Sequence, residues 1–165
     1  MNCVAEVKTW LVQDDFVPQV FVTGRSGGLI VTELLIQELY EKREQPHPPI
    51  YVLYELPPDS RDKKYNQHGT KFESPSTKLQ FFIPNALQNE DRNTKILIVN
   101  DWASSGNTLK ATKEALERLK FTQVKTAVVA GGEKTLTRHL RPDHVCFEVE
   151  GPWNKLPWPT RNLSF

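Results

Sequence analysis

The stretch Lys95–Thr112, KILIVNDWASSGNTLKAT, limits what this chain can fold into more than any other. Ile96, Leu97, Ile98 and Val99 have the length and branching of a strand buried on both faces. Asn100 and Asp101 stand where such a strand would end, and Ala103, Ser104, Ser105 and Gly106 make a short loop of small residues. Asn107 or Thr108 is then the expected cap of a helix whose inner face is Leu109, Thr112, Leu116 and Leu119, spaced three and four apart. A strand that feeds a helix through a Ser/Gly loop leaves N–H groups free at the positive helix end. That is an anion site, and phosphate is its usual occupant. The Asp101 carboxylate beside it can take ribose hydroxyls or help to hold a cation.

A second segment repeats this form. Pro18 opens a strand, Gln19 to Thr23, with Val20, Phe21 and Val22 buried. Gly24-Arg25-Ser26-Gly27-Gly28 follows, then a helix to about Tyr40 with Val31, Leu34, Leu35 and Leu39 as its inner stripe. Glycines let the backbone approach a phosphate closely, and Arg25 adds charge. Alone, GRSGG fits a tight strand-to-helix turn equally well.

The rest of the chain reads more coarsely. Val4, Val7, Trp10 and Leu11 mark a first helix over residues 4–13, with Trp10 in the core. Ile50 to Tyr54 is a strand, and Glu55 to Lys78 is a long polar connection. Leu79 to Ile83 brings the chain back toward the sheet, and Val124 to Ala130 is another buried strand. Neither His47 nor His68 has an acidic partner pattern that would mark a catalytic role. Alternating helices and strands predict an α/β fold, a parallel sheet with helices on both faces. Ligands in such sheets bind beyond the carboxyl ends of the strands, where both Gly/Ser loops fall.

The 165 residues suffice for one domain with a proper core. A formal net charge of +1 gives no global field toward nucleic acid or membrane. Cys3 and Cys146 show no metal-ligand or CxxC spacing, so neither a disulfide framework nor a zinc site is expected. No charged-then-apolar leader is visible and no apolar run nears the ~20 residues of a membrane span, so a soluble cytoplasmic protein is expected.

Residues 96–108, ILIV-N-D-WAS-S-G-N-T, resemble the phosphoribosyl-pyrophosphate signature of the type I phosphoribosyltransferases. That pattern is four apolar residues, two acids, two or three variable residues, Ser/Thr, Gly, any residue, Thr. Asn100 replaces the first acid. The family also carries a pyrophosphate loop after the first core strand, which agrees with GRSGG about 75 residues earlier. The end of the chain, Arg141 to Pro159, resembles the xanthine/guanine (6-oxopurine) subgroup through Trp153-x-x-x-Pro157-Trp158.

This resemblance implies transfer of 5-phosphoribose from phosphoribosyl pyrophosphate to a purine-type base, with Mg²⁺ as cofactor. It implies one domain over 1–165, a lid at about 55–78 and a C-terminal hood at about 131–159. Asp101 and Asn100 would meet the ribose, with Asp101 bearing on the metal directly or through ribose or water. Ala103, Ser104, Ser105, Gly106, Asn107 and Thr108 would hold the 5′-phosphate, and Arg25, Ser26, Gly27 and Gly28 the pyrophosphate. Arg61, Lys63 and Lys64 of the lid would neutralise the leaving group. Trp153 would stack on the base, Asn154 would touch its edge through the backbone, and Lys134 would donate to a 6-oxo group. The spacing Gly131-Gly132-Glu133-Lys134 departs from the subgroup. Plugging the bottom of the domain is the alternative role for Trp153 and the expected one for Trp158. Family analogy adds a homodimer. Asn100 removes one negative charge, so the alternative is a nucleotide-binding or regulatory protein without turnover. Nucleic-acid binding through residues 61–71 ranks last, since acids interrupt that basic run.

Overall fold

The computed structural model of the chain describes residues 2–24, 26–41, 46–56, 68–132 and 141–149. Helix α1 (Cys3–Gln13) leads into strand β1 (Val20–Thr23) and helix α2 (Ser26–Tyr40). Strands β2 (Ile50–Val52), β3 (Tyr54–Glu55), β4 (Gly69–Glu73) and β5 (Gln80–Pro84) follow, then the single turn α3 (Asn85–Gln88). Strand β6 (Ile96–Ala103), helix α4 (Asn107–Arg118), and strands β7 (Val124–Gly132) and β8 (His144–Val149) complete the described chain.

Five strands form one parallel sheet in the order β2-β1-β6-β7-β8. The expected fold class is therefore observed, and alternation along the strands explains the two covered faces. Phe21, Leu97, Val99 and Ala127 point into a core shared with Val7 and Leu11 of α1 and Leu35 and Ile36 of α2. Val20, Val22, Ile96, Ile98 and Val128 point the other way, onto Leu109, Ala111, Ala115 and Leu116 of α4. From β1 the chain crosses outward to β2, and from β6 it crosses in the opposite direction to β7. Crossovers of one hand that run in opposite directions land on opposite faces. The strand order thus switches between β1 and β6, and the crevice of such a sheet opens there.

Four expectations need correction. The polar stretch Glu55–Lys78 is not all connection: β4 lies within it and pairs antiparallel with β5, which also pairs with β3. This small sheet in the order β3-β5-β4 packs Phe72, Phe81 and Ile83 into the α4-side core, where Leu53 also lies. Ile50–Tyr54 is two strands, because the chain leaves the parallel sheet at the buried Leu53. On α2 the inner face includes Thr32, Leu35, Ile36 and Tyr40, while Leu34 is 49% exposed. An apolar count around α2 hides this, since Thr32 satisfies its own hydroxyl by donating to Gly28 O at 2.7 Å. Cys3 and Cys146 form a disulfide between the start of α1 and the middle of β8. Their separation of 143 residues left no local spacing to read.

Candidate active site

Two strand ends and two helix starts build the site. Backbone pairing carries β6 past its apolar run: Trp102 pairs with Ala130 and Ala103 with Gly131. Asn100 and Asp101 therefore lie within the strand rather than after it. Asn100 is buried at 6% exposure, and Asp101 is half-buried. Ser104 and Ser105 then turn the chain, and Gly106 caps α4 at φ 72°, a left-handed backbone that favours glycine. The cap is thus Gly106, not Asn107 or Thr108: it acts through its carbonyl, which accepts from Lys110 N at 2.9 Å. Ser105 Oγ accepts from the first-turn N–H of Asn107 at 3.4 Å. No acidic residue stands in the first turn, so the positive end of α4 is left for an anion.

Residues 100–109 line a single cavity of about 320 Å³. It gathers Asn100, Asp101, Ala103, Ser104, Ser105, Gly106, Asn107 and Thr108, all predicted from the sequence. It also includes Trp102, which the sequence reading passed over as a variable position. Trp102 is half-buried and, among the described residues, is the only aromatic one in that lining. The signal was present: a tryptophan directly after Asp101 has to lie at the mouth of the crevice.

The glycine turn after β1 lies against this wall. A Cβ on Gly27 would overlap the Asp101 carboxylate. A Cβ on Gly28 would overlap Thr23 Oγ1 and come within 2.7 Å of Val99 O. At Gly24 a Cβ would meet Thr108 Cγ2 at 2.8 Å, with Thr112 Oγ1 at 3.7 Å and Asn100 Oδ1 at 4.0 Å. The two motifs, distant in sequence, therefore share one surface at the switch point. On the far side, a Cβ on Gly132 would sit 3.4 Å from Ser104 O, so the end of β7 walls the loop.

Helix α4 is anchored from behind. Glu114 accepts hydrogen bonds from Ser74 Oγ at 2.6 Å and from Ser76 Oγ, both in the β4–β5 turn. Burial acts to raise the Glu114 carboxyl, but those hydroxyls, the Ser76 N–H and nearby Lys110 together hold it below the usual range. Arg118 lies over the Phe72 ring at 5.6 Å. Under the sheet edge, Tyr51 donates to Glu90 Oε1 at 2.6 Å. Burial, then that bond and the Glu90 charge, push the phenol up to about 12.

Ser26 opens α2, and its side chain lies outside the described residues, as do Arg25, Arg61, Lys63, Lys64, Lys134, Trp153, Asn154 and Trp158. Among the described residues no group of three His, Cys, Asp or Glu side chains could hold a metal ion. A cation here would rest on Asp101 and on ligand oxygens, which suits Mg²⁺ in phosphate sites. Among the described residues no helix is long and apolar enough to cross a membrane.

Solved structures with this fold include a purine phosphoribosyltransferase from Pyrococcus horikoshii Ot3. It is 19% identical at TM-score 0.60, with 96% of this chain and 91% of that one covered. The xanthine-guanine-hypoxanthine phosphoribosyltransferase of Helicobacter pylori is also 19% identical at TM-score 0.58, with 88% and 78% covered. An adenine phosphoribosyltransferase from Thermoanaerobacter pseudethanolicus is 10% identical at TM-score 0.62, with 89% and 78% covered. A search of curated protein sequences finds no match. At these identities the structures speak for the fold alone. The phosphoribosyl transferase domain family itself matches residues 3–164, and the chain belongs to it.

Proposed function

We propose that this protein transfers 5-phosphoribose from phosphoribosyl pyrophosphate to a purine-type base and releases pyrophosphate. The observation that carries the proposal is the 320 Å³ cavity, which gathers the Asp101 carboxylate and the N-terminus of α4, whose first turn has no acidic residue, at the switch point of the sheet. The first turn of α4 holds the 5′-phosphate through its N–H groups and the Ser105 and Thr108 hydroxyls. Asp101 accepts from the ribose hydroxyls and fixes the sugar against the Gly27 turn. Asn100 accepts one further ribose hydroxyl bond without adding charge. A base nitrogen attacks C1′ as the bond from C1′ to the pyrophosphate oxygen breaks, through an oxocarbenium-like transition state. The protein supplies alignment and electrostatic support for that step.

Trp102 offers the base a flat apolar wall within the cavity. Trp153, Asn154 and Lys134 are assigned to the base from sequence, as are Arg25, Arg61, Lys63 and Lys64 to the pyrophosphate. Mg²⁺, if bound here, would supply positive charge against the pyrophosphate. Asp101 would hold it, directly or through a ribose oxygen or water. A purine acceptor is in keeping with the structural neighbours, which are purine, adenine and xanthine-guanine-hypoxanthine phosphoribosyltransferases.

The test is pyrophosphate release from phosphoribosyl pyrophosphate and Mg²⁺ with guanine, xanthine, hypoxanthine and adenine in turn. Release with one or more bases is expected and names the acceptor. Donor binding without release from any of them refutes the proposal and selects the reading that Asn100 supports, a nucleotide-binding protein without turnover.

A further inference from the structure

We propose that Cys3 and Cys146 are a site of reversible thiol–disulfide exchange, and that their redox state sets how firmly the edge strand β8 is held. The pair joins the first residue of α1 to the middle of β8. Among the described residues β8 pairs with β7 alone, so one of its edges lacks a neighbouring strand. Its described side-chain ties to the rest of the fold lie near its start, while Glu148 near its end pairs only with exposed Arg141, just ahead of the strand, at 3.1 Å. Asp143 Oδ2 accepts from Thr126 N at 2.8 Å and Thr126 Oγ1 at 2.7 Å, and His144 stacks on Trp10 with ring centroids 5.0 Å apart. Among the described residues the disulfide is the covalent tie between the middle of the strand and a helix.

Two observations make the pair exchangeable. Both cysteines are partly exposed, so a small dithiol can reach them. Cys3 is the first residue of a helix capped by Asn2, where the positive helix end favours a departing thiolate. Attack on the Cys146 sulfur therefore expels the better leaving group. The step balances: one reductant thiolate forms a mixed disulfide with Cys146 and releases the Cys3 thiolate, which takes up a proton. The second reductant thiol then closes its own disulfide and releases the Cys146 thiol. The protein gains two electrons and two protons, and the dithiol is oxidised. Persistent disulfides are rare in reducing compartments, so a pair held at this place acts there as a reporter of oxidation.

The consequence is local. The ladder runs from Ala103 through Gly131 to Glu148, so β8 is two strands from the cavity wall. Opening the disulfide frees β8 and the start of α1 first, because β7 keeps its pairing with β6.

The experiment treats the native protein with dithiothreitol, alkylates it without denaturant and weighs it. Alkylation at Cys3 and Cys146 only after reductant, a melting temperature lower by on the order of 10 °C, and faster amide exchange confined to α1 and β8 are expected. A Cys3→Ser/Cys146→Ser double variant should show the reduced behaviour with or without dithiothreitol. The proposal is overturned if neither cysteine alkylates after native reduction, or if both alkylate without it under air. It is equally overturned if melting and exchange do not change on reduction. None of these readouts depends on transferase activity.

Discussion

Replacing Gly27 by alanine sets a methyl group against the Asp101 carboxylate. The added carbon would stand 2.5 Å from Asp101 Cγ. Carbon atoms settle at about 3.5 Å, so the carboxylate must withdraw by about 1 Å. A reacting group displaced by about 1 Å can lose about 100-fold in rate, or about 2.7 kcal/mol of transition-state stabilisation. Stability moves the other way, because Gly27 lies in the first turn of α2 and alanine is the better helix former by up to about 1 kcal/mol. We expect kcat/KM for pyrophosphate release to fall about 100-fold while the melting temperature holds or rises by about 2 °C. Gly28→Ala is the control: its Cβ meets Thr23 and the Val99 carbonyl, backbone that cannot retreat. That variant should lose about 1–3 kcal/mol of stability. A Gly27→Ala protein with unchanged kcat/KM would refute the placement of Asp101 at the reacting sugar. One that melts far lower would show that the close approach is a packing feature.

Other predictions follow from single contacts. Glu114→Ala should cost about 1–2 kcal/mol at pH 7 by removing two hydroxyl hydrogen bonds to a carboxylate. Because the folded carboxyl titrates below its ordinary 4.5, that contribution is present above pH 4.5 and is lost as the pH falls through the folded value. The variant and the parent should therefore converge in acid melts. Tyr51→Phe should cost about 1 kcal/mol near neutrality. With the folded phenol near 12 against 10.0 in the open chain, that stabilisation is complete below pH 10 and fades as pH rises toward 12. Parent and variant should then meet in urea titrations run at alkaline pH. Trp102→Ala should raise KM for the base about 5- to 100-fold, the ~1–3 kcal/mol of one stacked ring, with donor affinity nearly unchanged. Equal effects on both would remove Trp102 from the base side.

Much of the fold was legible because backbone constraints leave plain marks. Four apolar residues after Lys95 and three after Gln19 mark strands buried on both faces, and helices of the right period followed each. The cavity was legible for the same reason: a Ser/Gly loop between a strand and a helix must lie at the carboxyl edge of the sheet. What escaped was long-range or carried by the backbone. Polar Asn100 and Asp101 look like the end of a strand, yet the ladder runs on to Ala103, since pairing uses N–H and C=O groups. In β4, GTKFE, the core contact is carried by Phe72, too little to mark a strand inside a polar run. Gly106 was read as loop because its capping depends on φ and not on a side chain. The closeness of Cys3 and Cys146 exists only after α1 packs beside β8. Trp102 fills a variable position of the signature, so the pattern carried no sign of its place in the cavity lining.

The most direct test is calorimetric titration of the parent protein and its Asp101→Asn variant with phosphoribosyl pyrophosphate and Mg²⁺. The account predicts saturable one-site binding by the parent, at least tenfold weaker binding by the variant, and melting temperatures within a few degrees of each other. Equal affinity in both proteins, or no binding by the parent, would contradict the claim that the cavity at 100–109 is a donor site.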